Sequence, residues 1–195
     1  MKKVLIIIII LVTGFYTYGQ ESLWSFTYNM AVPMGETKDM VGKYSFRGIG
    51  IEGRKFIDNN FSMGGSVGWN VFYEKQDKMT TEHDNITLTG THFNTINAFP
   101  FYVNASYYLN EGSYVRPYLG MNVGAIYTLY RKDIGLYRFE EKPLKFGIAP
   151  EIGILFETYS GSSFTINFKY NYGAETSDTD PLSYLGINVG FIWLY

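Results

Sequence analysis

Two histidines, His83 and His92, lie in one polar stretch beside Glu82 and Asp84, a set able in principle to hold a metal ion or supply a general base. Their spacing matches no metal-ligand motif, and solvated loop positions are the simpler reading. Thr80, Thr81 and Ser106 supply hydroxyls, but no segment combines Ser, His and an acid in a recognisable catalytic set. The stretch Gly48-Ile49-Gly50-Ile51-Glu52-Gly53 has the glycine spacing of a dinucleotide loop, which must leave a strand and open a helix. It runs instead into Arg54, Lys55, Phe56, Ile57 and a turn, so its glycines read as small strand positions. With no cysteine, a disulfide, a thiolate zinc site, a Cys nucleophile and lipid attachment at an N-terminal Cys are all excluded. No enzyme activity, catalytic residue, metal or cofactor is expected. The formal charge of -2, without a basic block, argues against nucleic acid as a partner.

The remaining charged candidates are dispersed: Glu52, Arg54, Arg116, Glu151 and Lys169 each interrupt a row of Gly, Ser, Asn and Thr. Those rows belong to segments that alternate with a period of two. In FSMGGSVGWNVFY, Phe61, Met63, Val67, Trp69, Val71 and Tyr73 alternate with Ser62, Gly64, Ser66, Gly68 and Asn70. YVRPYLGMNVGAIYTLY and KFGIAPEIGILFE repeat the pattern, as does the run that places Phe164, Ile166, Phe168, Tyr170 and Tyr172 against Ser163, Thr165, Asn167, Lys169 and Asn171. Such runs predict about eight strands, near 23–32, 44–57, 61–73, 95–109, 114–130, 145–157, 163–173 and 183–195. Short Asn- and Gly-rich turns at 58–60, 110–112 and 159–162 alternate with longer polar segments at 33–43, 74–93, 131–144 and 174–182, which are expected to be loops.

The N-terminus reads MKKVLIIIIILVTGFYTYGQ, with two lysines, an apolar run and then small residues, the order of a secretory signal peptide. We expect residues 1–19 to be this signal and 20–195 to be one exported domain. No later segment approaches the length of an apolar membrane helix.

The sense of the two faces decides the solvent. A soluble barrel needs a charged exterior, and the polar rows here are too small and too uncharged to supply one. They suit the narrow interior of an eight-stranded barrel, with the apolar rows against lipid and every backbone group paired by closure. Glu52, Arg54, Arg116, Glu151 and Lys169 then form a polar network in a filled lumen. Aromatic residues at the strand ends, among them Trp24, Tyr73, Tyr107, Tyr130 and Trp193, are expected to form interfacial girdles.

On these features, and on the last strand, the chain resembles the small eight-stranded outer-membrane barrels of Gram-negative bacteria, the group of the OmpA transmembrane domain, OmpX and OmpW. Members carry an assembly signal in the final strand, which Asn188, Gly190, Trp193 and Tyr195 match in register; Tyr195 stands where many members have Phe. The resemblance implies an all-β, antiparallel up-and-down transmembrane barrel in the bacterial outer membrane, with short periplasmic turns and longer extracellular loops. It implies outer-membrane lipids, lipopolysaccharide, the barrel assembly machinery and periplasmic chaperones as partners. The function expected is a non-enzymatic envelope role carried by the loops, through surface contact, membrane integrity or association with an envelope complex. Alternatives are an OmpW-like conduit for small apolar molecules and, less favoured, a lipid-modifying enzyme.

Overall fold

The computed structural model describes residues 22–83, 86–110, 112–135, 137–158, 162–177 and 179–194, with backbone only at 76–83, 86–91, 162 and 194. The expected signal segment and Tyr195 lie outside the described residues. The strands are β1 (Ser22–Pro33), β2 (Gly48–Phe56), β3 (Phe61–His83), β4 (Ile86–Tyr108), β5 (Val115–Ile134), β6 (Tyr137–Glu141), β7 (Leu144–Phe156), β8 (Ser162–Gly173) and β9 (Leu182–Leu194), and a short helix α1 (Gly35–Met40) follows β1.

All neighbouring strands pair antiparallel in chain order, β5 pairs β7 directly, and β9 returns to β1 with Trp24 opposite Trp193 and Asn29 opposite Asn188. The result is a closed eight-stranded up-and-down barrel, with β6 added to β5 above it. Closure leaves no edge in the barrel wall, the condition under which strands can cross hydrocarbon. No helix among the described residues is long and apolar enough to cross a membrane.

The alternation places the apolar rows outside. Trp24, Phe26 and Tyr28 of β1, Ile152 and Ile154 of β7 and Phe164, Ile166 and Phe168 of β8 are exposed, while Ser25, Thr27, Glu151, Thr165 and Asn167 between them are buried. An exterior of this kind would be insoluble in water and is stable against lipid tails. Strands β1, β2, β7, β8 and β9 have 9 to 13 residues, the length that a tilted strand needs to span a bilayer.

Two expectations about the long connections are corrected. The 74–93 segment is not a loop: β3 and β4 continue as a hairpin, pairing from Glu74↔Asn94 to His83↔Ile86 with an irregularity between Gln76 and Met79. Outside the bilayer both faces of a hairpin meet water, so apolar alternation disappears while the backbone ladder persists; the frequent threonines there favour extended backbone. For the same reason much of 131–144 is strand, the β5–β6 hairpin, turned at Gly135 with φ +59°. Tyr130 also leaves the expected girdle, because it faces inward against the buried core.

Candidate functional site: a sealed lumen beneath an acidic rim cavity

Inside the barrel the side chains form layers. Near the chain termini, Leu23, Phe56, Tyr108, Tyr118, Leu155 and Ile192 make one apolar layer. At the other end, Phe72, Ile96, Tyr102, Ile126, Leu182 and Tyr184 make a second, with Met40 and Tyr130 packed against it. Tyr118 and Tyr184 stand in the inward rows as the sequence reading has them, whereas the Phe, Ile and Leu side chains of these layers add apolar packing to rows read as small, polar and charged.

Between the layers lie four of the five charged residues singled out from sequence. Arg54 on β2 reaches across the lumen to Glu151 on β7, Nη2 to Oε1 at 2.9 Å, and its Nε donates to Glu52. Lys169 Nζ lies 3.3 Å from Glu151 Oε2 and 3.8 Å from Glu52 Oε2. The two cations and two anions cancel, as buried charges must if they are to stay ionised. Neutral donors complete the network: Tyr118 donates to Glu151 at 2.7 Å, Asn122 to Glu151 at 3.0 Å and Asn104 to Glu52 at 2.6 Å. Arg116 does not join it. Its guanidinium lies over the Phe56 and Tyr108 rings and donates to Glu157 and to the Asn59 carbonyl, at the terminal end of the barrel. Length and register put it there: β5 starts at Val115, so position 116 lies one layer below Glu151.

The remaining sequence candidates separate. Asn188 donates to Asn167 at 2.6 Å, and Gly190 lies between Thr27 and Thr165, where an added Cβ would come within 2.9 Å of both methyls. Trp193 faces outward, with its ring 4.7 Å from that of Phe191. His83 and His92 are strand residues rather than loop residues, and His92 is buried. Ser106 is buried on the same strand as His92, fourteen positions along, or about 46 Å of extended chain away. The described residues hold no cluster of three potential metal ligands. Gly48, Gly50 and Gly53 lie within β2, paired to β1 and β3, with no helix after them.

The lumen holds little free space, with voids of about 40 Å³ and 10 Å³ beside the charged layer. The larger opening is at the rim, a cavity of about 520 Å³ between α1, the β5–β6 hairpin and the β8–β9 loop. Its base is the upper apolar layer, represented by Met40, Ile96 and Tyr130, and Ile134 and Phe139 extend this surface upward. Four carboxylates, Glu36, Glu141, Glu175 and Asp180, line it together with one cation, Lys132.

Pairing explains which hairpin residues face it. Phe139 opposes Lys132 and Glu141 opposes Tyr130, so these point to the cavity side. The alternate pairs, Arg131–Glu140 at 2.9 Å and Asp133–Arg138 at 2.7 Å, form a salt-bridge ladder on the other side. The Glu140 carboxyl is held below its ordinary value, chiefly by hydrogen bonds from Arg131 and Lys142.

The other walls are tied down. Ser183 N–H donates to Thr37 Oγ1 at 2.8 Å and Asn94 Nδ2 to the Met40 carbonyl at 3.0 Å, which fixes α1 over the barrel mouth. The buried Lys145 donates to Thr179 Oγ1 and the Asp180 carbonyl, both at 2.7 Å, and so anchors the β8–β9 loop. Sequence reasoning missed this cavity, since its walls come from segments that carry no periodic signal. The acid content of 33–43 and 174–182 was the available clue.

No family model and no curated protein matches the sequence. Solved structures do match. The Neisserial surface protein A (NspA) is 13% identical with TM-score 0.56, over 89% of this chain and 96% of that one. OprG, an outer membrane protein of Pseudomonas aeruginosa, is 12% identical with TM-score 0.55, over 91% and 96%. Ail, the attachment invasion locus protein of Yersinia pestis, is 14% identical with TM-score 0.53, over 92% and 100%. With its closed eight-stranded topology, apolar exterior and filled polar interior, the chain has the fold of the small bacterial outer-membrane β-barrels.

Proposed function

We propose that the protein is an outer-membrane barrel without catalytic activity whose wall is an anchor and whose working surface is the rim built from α1, the two tall hairpins and the β8–β9 loop. The observation that carries this reading is the Arg54–Glu151 pair spanning a lumen closed above and below by apolar layers. A lumen sealed in this way has no continuous aqueous path, and eight strands are too few to leave one. The rim, by contrast, invests β3, β4 and β5, of 23, 23 and 20 residues, in structure well beyond the span of a bilayer.

Ail, which shares the fold, has been crystallised with the heparin analogue sucrose octasulfate. The four carboxylates around the present rim cavity have the wrong sign for such a polyanion. A lateral conduit for apolar molecules finds less support, because the cavity floor rests on the packed Tyr102–Ile126–Tyr184 layer.

Electrical recording in planar lipid bilayers tests the reading. Insertion without stepwise conductance is expected, and a stable, reproducible channel would overturn it. A second arm uses intact cells: external protease should cleave within the β5–β6 hairpin, and full protection there would show that the rim faces inward.

A further inference from the structure

The rim cavity combines three features expected of a small-molecule site. Its volume, about 520 Å³, lies within the range of sites for small organic molecules. Its base is apolar and already packed, and its walls are fixed by the Thr37–Ser183 and Lys145–Asp180 hydrogen bonds, so little ordering cost remains on binding. Its mouth carries Glu36, Glu141, Glu175 and Asp180 against Lys132 and, behind the wall, the Lys145 ammonium, whose charge acts on Asp180, Glu175 and Glu141; none of the four acids forms an ion pair within contact distance among the described residues. The neighbouring acids Asp133 and Glu140 are neutralised by Arg138 and Arg131 on the opposite side of the same hairpin. With four acids against these two lysines, the opening keeps a net negative charge.

We propose that this cavity binds a small organic cation with an apolar body, the apolar part on Met40, Ile96 and Tyr130 and the ammonium group among the carboxylates. A metal ion does not fit, since the described residues bring no three ligands together. An anion would meet the carboxylates, and a neutral apolar molecule would leave them unused. The inference rests on the rim as the working surface, but it concerns the cavity alone and is tested on the isolated barrel.

The test is titration calorimetry on the full mature chain refolded into phosphocholine nanodiscs, with empty nanodiscs as reference. The probes are 4-phenylbutylamine, 4-phenylbutanol and 4-phenylbutyrate, which share one apolar body and differ in charge. The amine is expected to bind about tenfold tighter than the alcohol, with no detectable binding of the carboxylate. Its affinity should fall about fivefold in the Glu141→Gln/Glu175→Gln double variant and weaken in high salt. Asp39→Asn, on α1 but outside the cavity lining, should leave it unchanged. Equal affinities for amine and alcohol, an unaltered double variant, or no amine binding at millimolar concentration by protein with an intact β-sheet spectrum would each overturn the proposal. Protease protection of the hairpin in cells would refute the rim reading without touching the calorimetric result.

Discussion

At the scale of single residues the charged layer decides stability. Glu151 receives Arg54, Tyr118, Asn122 and Lys169, and substituting it leaves two cations facing Glu52 alone. Glu151→Ala should cost about 3–5 kcal/mol, measured by urea unfolding in lipid vesicles, because an uncompensated buried charge remains. Replacing both members of the Glu151–Lys169 pair with Gln and Met should recover much of that loss, since the remaining Arg54–Glu52 pair is neutral. Gly153 makes a second point. An added Cβ would lie 2.5 Å from the Tyr118 ring, so Gly153→Ala must displace that ring and the hydroxyl it offers Glu151. A loss of about 1–3 kcal/mol is expected in the same assay, typical of overpacking. That Glu52, Arg54, Glu151 and Lys169 point inward was legible in their parity. That Arg116 stands apart was not, because parity assigns a face and not a height.

At the scale of elements, the seam between β9 and β1 closes the sheet. Trp193 and Leu194 pair with Trp24 and Leu23, and Phe191 joins Phe164 and Trp193 in an edge-on aromatic row outside. Deleting residues 193–195 should reduce the folded, membrane-inserted fraction severalfold in a vesicle folding assay, whereas deletions in the β3–β4 tip should not. Equal insertion would show that the seam is not limiting. The β5–β6 hairpin has a pH dependence of its own. The Glu140 carboxyl is held below its ordinary value of 4.5 in the fold, so its stabilising contribution is fully present above that value. It is lost as pH falls below 4.5 through the lowered folded value. Backbone amide exchange in Arg131–Asp133, corrected for intrinsic rates, should therefore accelerate as pH is lowered from 5 to 3 in about that window. Glu140→Gln should abolish the change. The hairpins themselves were hidden in the sequence, since a strand with water on both sides has no apolar row to reveal it.

At the scale of the whole molecule, a barrel with Trp24, Phe26, Ile152 and Phe168 outside and paired charges inside inverts the arrangement of a soluble protein. Purified protein should remain monodisperse only in detergent or lipid, and stable solubility without either would contradict the assigned exterior. Above the membrane, the tall hairpins and α1 turn the barrel mouth into a walled cavity, a feature of the assembled rim that no one segment contains.

The sequence by itself determined the class of fold, the number of spanning strands and the face of most residues within the bilayer span. It could do so because a period of two is a local property, and lipid outside a narrow polar lumen is the arrangement that suits these rows. Only the tertiary structure decided which inward residues meet. Arg54 and Glu151 are 97 positions apart and touch because closure and stagger bring β2 and β7 to one level. The same holds for the two apolar layers that seal the lumen and for the rim cavity, whose walls come from three segments distant in the chain. Faces are set residue by residue along a strand, whereas heights and meetings across a barrel are set by register, which exists only once the sheet has closed.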